Sequence, residues 1–191
     1  MRILPESAWI WMRREKDFRM RYAGNIQLWT LYMLFGLSAM GQSTISAQDA
    51  EQALSFHNTV RKLVGSPPLL WSDSLASYAQ GWADQLALSG CQIRHRPRSG
   101  PWAQQHGENI FGGWGKIFTA MDASKAWYSE ISTYQHIPLK ESNVQRTGHY
   151  TQMVWKRTRL LGMGQASCPD GTTVIVANYD PPGNFLGQYP Y

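Results

Sequence analysis

The sequence is poor in charge and in repetition. Charged residues make up only 16% of the 191 residues and hydrophobic residues 43%, which excludes a disordered chain. The seventeen glycines and ten prolines follow no period, which excludes collagen-like and low-complexity proteins. No internal repeat is present. A length of 191 residues therefore predicts one globular domain, alone or with a processed end.

The sequence also lacks a clustered basic segment in its body. Residues 1–47 hold six basic and three acidic residues, a net charge of +3, which leaves +2 of the total +5 for the other 144 residues. Nucleic-acid-binding proteins normally present a concentrated basic face. A nearly neutral body therefore predicts no nucleic-acid partner.

No apolar run is long enough to span a bilayer, which needs about 20 residues. The run Leu28–Ala39 is shorter and uncharged, with Arg19 and Arg21 before it and the small residues of Ile45–Ala47 after it. This order is typical of a secretory signal. Because no cysteine follows the run, a bacterial lipid anchor is not expected.

We therefore predict that residues 1–47 are a leader cleaved after Ala47. Met20 is an alternative start, since it gives a signal of ordinary length. Residues 48–191 are then a secreted, extracellular domain without integral membrane association, with periplasm or cell surface as other locations. The alternative is an uncleaved membrane anchor.

Periodicity predicts helices in the first part of the body and a β-hairpin at its end. This order indicates an α+β domain with helices packed on a sheet. The predicted elements are helices at 50–64, 72–88 and 119–134, a strand at 108–111, a polar loop at 136–146, a short helix at 149–155, and hairpin strands at 160–167 and 172–179.

Three segments are long and unusual: GHYTQMVW at 148–155, ANYDPPGN at 177–184 and GENI at 107–110. Together they resemble the CAP superfamily of cysteine-rich secretory, antigen-five and pathogenesis-related class-one proteins, over about residues 50–191. Pro190-Tyr191 resembles the pathogenesis-related branch. The resemblance implies a three-layer α-β-α sandwich and secretion, and it implies no agreed enzymatic activity.

The resemblance also implies a site of two histidines and two glutamates, at His95, Glu108, Glu130 and His149. Imidazole and carboxylate groups are normal ligands of zinc. Glu130 supports the site independently, because a carboxylate on an apolar helix face needs a partner. We predict that the four residues share one solvent-open cleft that holds Zn²⁺ or another divalent metal. The alternative is that these groups only hydrogen-bond one another.

The segment between His95 and Glu108 is longer than in plant members. His106 within it is an alternative ligand. Arg94, Arg96 and Arg98 are predicted to form a solvated basic loop. Arg96 occupies a position where some relatives have serine, which disfavours a serine nucleophile.

Our first functional hypothesis is a non-enzymatic binding protein for sterol or other lipid. In sterol-binding relatives, an aromatic-containing loop before the Gly-His motif carries the ligand. The matching stretch here contains the predicted lipid-binding residues Trp127, Tyr128, Tyr134 and Ile137. Packing of Trp127 in the core, with an ordinary loop after it, is an equal alternative.

Two other functions remain open. One is a metal-dependent hydrolase using zinc-bound water, which ranks lower because the sequence lacks a compact His-Glu-x-x-His motif. The other is a defence or signalling protein that releases a peptide, since Pro181–Tyr191 has the length and pattern of the peptide released from plant relatives. We prefer the alternative that this tail packs on the domain.

The two cysteines, Cys91 and Cys168, are predicted to form one disulfide, since secretion permits oxidation. Plant relatives carry three bridges. By alignment, one of those bridges falls on this pair, while the positions of another fall on Met163 and Ala177. Loss of cysteines by whole pairs supports the pairing of the two that remain.

Overall fold

The computed structural model describes residues 45–191. Met20 and the apolar run of the predicted leader lie outside the described residues. Within residues 45–191, no helix is both long and apolar enough to cross a membrane. The elements are α1 (Ala47–Leu63), β1 (Leu70–Trp71), α2 (Asp73–Leu88), β2 (Gly107–Gly113), α3 (Ala120–Ser129), a 3₁₀ turn (Glu130–Thr133), α4 (Glu141–Met153), β3 (Leu160–Ser167) and β4 (Thr173–Asp180).

The four described strands form one sheet in the order β1-β3-β4-β2. β3 and β4 are the predicted antiparallel hairpin, and β2 pairs antiparallel with β4 along its whole length. β1 is parallel to β3 but pairs with it only at Leu160 and Leu161. Beyond Leu161, β3 is therefore an edge that β1 does not cover.

Helices cover both faces of the sheet. Two glycines, Gly162 and Gly164, let α2 lie directly on β3, because a Cβ at either position would overlap the α2 backbone. α2 closes one apolar cluster with Ile110, Val174 and Val176. On the other face, α1, α3 and α4 close a larger cluster with β3 and β4. The predicted three-layer α-β-α sandwich is confirmed.

Side-chain caps set the starts of the first three helices. Ser46, Ser72 and Thr119 each accept a hydrogen bond from a backbone N–H in the first turn. The predicted starts of α2 and α3 are therefore confirmed. The predicted end of α3 is wrong, because the helix stops at Ser129 and a 3₁₀ turn follows.

The predicted loop at 136–146 is also wrong in its second half. α4 begins at Glu141 and continues through the glycine of the Gly-His motif to Met153. Asn143 Oδ1 accepts a hydrogen bond from the Lys140 backbone N–H and so stabilises this start. The polar residues that indicated a loop include the solvent-exposed side of the first two turns.

A buried arginine ties α1 to the end of α4. Arg61 is fully buried and donates to the carbonyl oxygens of Pro67, Met153, Trp155 and Thr158, at 2.7 to 3.1 Å. Burial lowers the pKa of Arg61 to about 10, so the guanidinium stays charged at neutral pH. Carbonyls at a helix C-terminus carry partial negative charge, which suits this cation.

A buried histidine lies beneath the sheet. His57 Nδ1 is 2.8 Å from the Ala53 carbonyl oxygen, which can only accept, so Nδ1 carries the proton. Nε2 then accepts from the Tyr179 hydroxyl, 3.0 Å away. Burial lowers the pKa of His57 from 6.5 to about 4, because the interior disfavours imidazolium.

The predicted disulfide is confirmed. Cys91 and Cys168 are bonded, with their Cα atoms 6.1 Å apart. The bridge joins the end of α2 to the start of the β3–β4 turn. Met163 and Ala177, the aligned positions of a bridge in plant relatives, face each other in the β3–β4 ladder.

The C-terminal tail packs on the domain, as preferred from the sequence. Leu139 exchanges backbone hydrogen bonds with Gly187 and Gln188, and Lys156 N–H donates to the Pro190 carbonyl. The Tyr191 ring stacks on His136 at 4.7 Å between ring centroids. Release of residues 181–191 would break all of these contacts.

We expect stability to fall in acid because His57 must stay neutral to fold. The folded pKa of about 4 lies below the unfolded value of 6.5, so this contribution is complete above pH 6.5 and is lost as the pH falls to about 4. The loss is about 3 kcal/mol. Urea unfolding at pH 7 and pH 4 measures it.

In His57→Gln, the pH 7 to pH 4 difference should shrink by about that amount. The control His136→Gln removes an exposed histidine and should keep the wild-type difference. An unchanged difference in His57→Gln would show that His57 does not carry the effect.

Candidate functional site

Glu130 holds His149 at the middle of α4. Its Oε1 lies 2.6 Å from His149 Nδ1, and its Oε2 accepts the backbone N–H groups of His149 and Tyr150 at 2.9 and 3.1 Å. Glu130 thus has the partner that its sequence position required. Because the carboxylate accepts from Nδ1, the Nε2 atom of neutral His149 keeps its lone pair.

Glu108 holds His95 in the same way on the other side of β2. Its Oε1 is 2.8 Å from His95 Nδ1 and accepts the Arg96 backbone N–H at 3.0 Å. The Glu108 side chain is buried, whereas that of His95 is half exposed. His95 therefore presents Nε2 toward solvent, with its other nitrogen held from inside the protein.

Arg96 is buried, so the prediction of a solvated basic loop is wrong at this position. Only 5% of Arg96 is exposed, while Arg94 and Arg98 are exposed as expected. The guanidinium stacks on the Tyr78 ring, 3.7 Å from its centroid, and Nη2 donates to the Tyr78 carbonyl. Its Nε is 3.6 Å from Glu108 Oε2, which has no hydrogen-bond partner.

Two tryptophans complete the surroundings of Arg96. Trp82 and Trp102 lie with ring centroids 5.2 and 5.4 Å from the guanidinium carbon, within cation–π range. Trp102 comes from the segment between His95 and Glu108. Tyr78 anchors that segment by donating to the Ala103 carbonyl. This aromatic group around Arg96 was not predicted, although Tyr78 and Trp82 lie one helical turn apart on α2.

β2 lies between the two histidine–glutamate pairs and contacts both. Asn109, next to Glu108, donates to the His149 carbonyl at 3.0 Å and to the Tyr179 hydroxyl at 3.2 Å. Successive strand residues point to opposite faces, so Glu108 and Asn109 serve opposite layers. The structure thus arranges the four predicted residues as two pairs beside the edge strand, and their convergence on one metal stays a prediction.

Within residues 45–191, three side chains that could ligate a metal have their ligand atoms within 4.8 Å of one another. They are Cys91, Cys168 and Asp170. The two sulfurs are bonded to each other, so neither is a thiolate ligand. This group is therefore not the predicted metal site. His106, the alternative ligand, pairs instead with Asp180 at 3.1 Å.

The four predicted lipid-binding residues differ in burial and in the elements against which they pack. Trp127 is buried in the core, where its Nε1 donates to the Ile110 carbonyl, so it has no surface for a ligand. Tyr134 packs between Tyr150 and Tyr191, under the C-terminal tail. Tyr128 is partly buried beside α1, and Ile137 is exposed.

An apolar groove lies elsewhere, along the uncovered edge of β3. Its volume is about 760 Å³, and it runs between the first half of α1 and the face of α2 from Asp73 to Asp84. Sequence reasoning missed it, because it depends on β1 pairing at only two positions. Its lining is apolar at Ile45, Ala47, Ala50, Leu54, Trp71, Ala76, Gly81 and Met163, and polar at Glu51, Asp73, Ser77, Gln80 and Asp84.

Comparison with known proteins decides the family. The profile described as "CAP: Cysteine-rich secretory protein family" matches residues 54–179. The chain belongs to the CAP family. The matched residues run from the middle of α1 to the penultimate residue of β4, so they include both histidine–glutamate pairs and all of the sheet except Asp180.

This CAP domain is similar to plant pathogenesis-related proteins. It is 40% identical to pathogenesis-related protein 1A of Nicotiana tabacum over 146 residues, covering 76% of this chain and 83% of the tobacco protein. It is 37% identical to pathogenesis-related protein 1 of Arabidopsis thaliana, covering 76% of this chain and 84% of the other.

Solved structures are also similar. NaASP2, determined with Zn²⁺, superposes with a TM-score of 0.68 at 26% identity, covering 80% of this chain and 90% of that protein. Venom allergen-like protein 4 of Schistosoma mansoni superposes with a TM-score of 0.55 at 25% identity, covering 77% and 95% of the two chains.

The contacts of Arg96 generate a stability prediction. Arg96→Leu leaves the buried Glu108 carboxylate without its cation, and breaking a buried ion pair in this way costs about 3 kcal/mol. The control Arg98→Leu makes the same change at an exposed position and should stay within about 0.5 kcal/mol of wild type. Chemical denaturation measures both, and equal effects would contradict the proposed pairing.

Proposed function

We propose that this CAP protein is a secreted, non-enzymatic binding protein for lipid or another apolar small molecule. The observation that carries the proposal is the groove between α1 and α2. Its volume of about 760 Å³ lies within the range of small-molecule sites, roughly 300 to 1,000 Å³. Apolar walls with a few polar groups at the rim are typical of such sites.

We place the ligand in this groove instead of at the predicted aromatic loop. Trp127 is used in the core, and the tail covers Tyr134, so that loop has little surface to offer. Most of the groove lining lies beyond Ala47, including Leu54, Trp71 and Met163. Cleavage after Ala47 would therefore leave most of the apolar lining in the mature domain.

The disulfide bond supports secretion. The Cys91–Cys168 bond is expected to persist in an oxidising compartment. The similarity to pathogenesis-related proteins of tobacco and Arabidopsis supports a role in defence. Ligand capture outside the cell would be the activity behind that role.

We expect Ser77→Trp to block the groove. Ser77 is exposed and lines the groove on α2, so an indole there fills the space without disturbing the core. The probe is N-phenyl-1-naphthylamine, an uncharged fluorophore, with ergosterol and 1-dodecanol as competitors. Affinity for the probe should fall at least about tenfold, a loss on the scale of one buried apolar side chain.

The matched control is Leu88→Trp. Leu88 lies on the same helix and is 64% exposed, but it is not part of the groove. This variant should bind the probe as the wild-type protein does. Equal binding by Ser77→Trp, Leu88→Trp and wild type would place the ligand elsewhere.

A divalent metal at His95 and His149 is a second candidate function. Each imidazole is held through Nδ1 by a carboxylate, which is the arrangement that orients metal-ligating histidines. The donor set therefore fits a metal with His95 and His149 as ligands and Glu108 and Glu130 as orienting groups. The related NaASP2 structure was determined with Zn²⁺, which supports this choice of metal.

Zinc titration calorimetry tests the metal hypothesis. His95→Gln and His149→Gln should each abolish or strongly weaken binding, and Glu130→Gln should weaken it about 10- to 100-fold. Binding should also weaken in acid, because a protonated imidazole cannot ligate. His136→Gln is the control and should bind normally. If both ligand variants stay folded and bind zinc unchanged, the site lies elsewhere, and His106 is the next residue to test.

A further inference from the structure

The charged side chains at the rim of the groove are all acidic. Three carboxylates line it: Glu51 on α1, and Asp73 and Asp84 on α2. Among the described residues, the lining includes no lysine, arginine or histidine. A ligand that leaves its head group at this rim therefore meets only negative side-chain charges.

The local hydrogen bonds leave these charges in place. Asp73 Oδ1 accepts from the Trp71 indole at 3.1 Å, and Asp84 Oδ1 accepts from Gln80 Nε2 at 2.8 Å. Both donors are neutral, so neither neutralises its carboxylate. Glu51 is exposed at the opposite wall.

The N-termini of two helices near the groove carry partial positive charge, which partly offsets the carboxylates. α1 begins at Ala47 and α2 at Asp73, and a helix N-terminus carries about half of a positive elementary charge. Two such termini together offset about one carboxylate, and the α-ammonium of a mature chain cleaved after Ala47 would offset one more. Three full negative charges against these leave a net charge of about −1 at the rim.

Gln80 shows why an apolar chain, rather than a peptide strand, fits the groove. Its side chain accepts from the Gln165 backbone N–H at 3.0 Å and donates to the Gln165 carbonyl at 2.7 Å. These bonds occupy the backbone groups that an added strand would use at this point of the β3 edge. The remaining contacts available to a ligand are mainly apolar.

We propose that the groove between α1 and α2 binds a single-chain amphiphile with a cationic head group, such as a protonated long-chain amine. The apolar chain lies along Leu54, Trp71 and Met163, and the ammonium lies at the carboxylate rim. This inference rests on the proposed function, since it names the ligand class of the same groove.

Three competitors with the same twelve-carbon chain test the inference: dodecylamine, dodecanoic acid and 1-dodecanol. Each displaces N-phenyl-1-naphthylamine from the purified protein at pH 7, below its micellar concentration. Dodecylamine should displace the probe at roughly one tenth of the concentration that dodecanoic acid requires, with 1-dodecanol between them. High salt should reduce this preference, because the rim is solvent-exposed.

The double variant Glu51→Gln, Asp84→Asn should lose most of the preference for the amine while it binds 1-dodecanol as before. The control Glu141→Gln, Asp170→Asn removes the same net charge at exposed positions outside the groove, and it should keep the preference.

The outcomes separate the two claims. If dodecanoic acid competes as well as the amine or better, the cationic head group is wrong, while the groove remains a lipid site. If the control variant loses the preference as fully as the rim variant, the effect comes from net charge and the inference is overturned. If neither the probe nor any competitor binds, the proposed function fails together with this inference.

Discussion

The contacts of Arg61 determine how the layers of this CAP domain meet. One buried guanidinium, without a carboxylate among its hydrogen-bond partners, holds carbonyls that follow α1, end α4 and precede β3. Of these, the carbonyl of buried Met153 would otherwise lack this donor, and an unsatisfied buried group costs about 1 to 3 kcal/mol. Because α4 carries His149, the hydrogen bonds from Arg61 to the end of α4 also fix the position of this candidate ligand relative to the sheet. The positions of the site residues are therefore a consequence of core formation.

Buried polar side chains next to β2 also hold His149 in place. His57, Tyr179 and Asn109 form a buried chain that ends on the backbone of His149. Each step has a defined donor, because the Ala53 carbonyl fixes the protonated nitrogen of His57. A site built on such a chain is preorganised, since its members cannot rotate without leaving a buried polar group unsatisfied.

The contacts of Arg96 connect α2 to the segment before β2. A cation enclosed by Tyr78, Trp82 and Trp102 takes part in holding Glu108, and Trp102 belongs to the segment between His95 and Glu108. This segment and the arginine thus form one structural unit. The groove along β3 is a separate feature, which arises because β1 is short, and it lies on the opposite edge of the sheet from β2.

Local sequence determined the helix starts at Ser72 and Thr119, the β3–β4 hairpin and, through long motifs, the family and its fold. Caps and turns act over three or four residues, so their signals are readable without tertiary contacts. The tertiary structure decided that Glu108 and Glu130 bind imidazole nitrogens, that Arg96 is buried, and that the apolar groove lies at the β3 edge. Each of these depends on segments far apart in sequence, whose packing free energies outweigh the local preference of a charged residue for solvent.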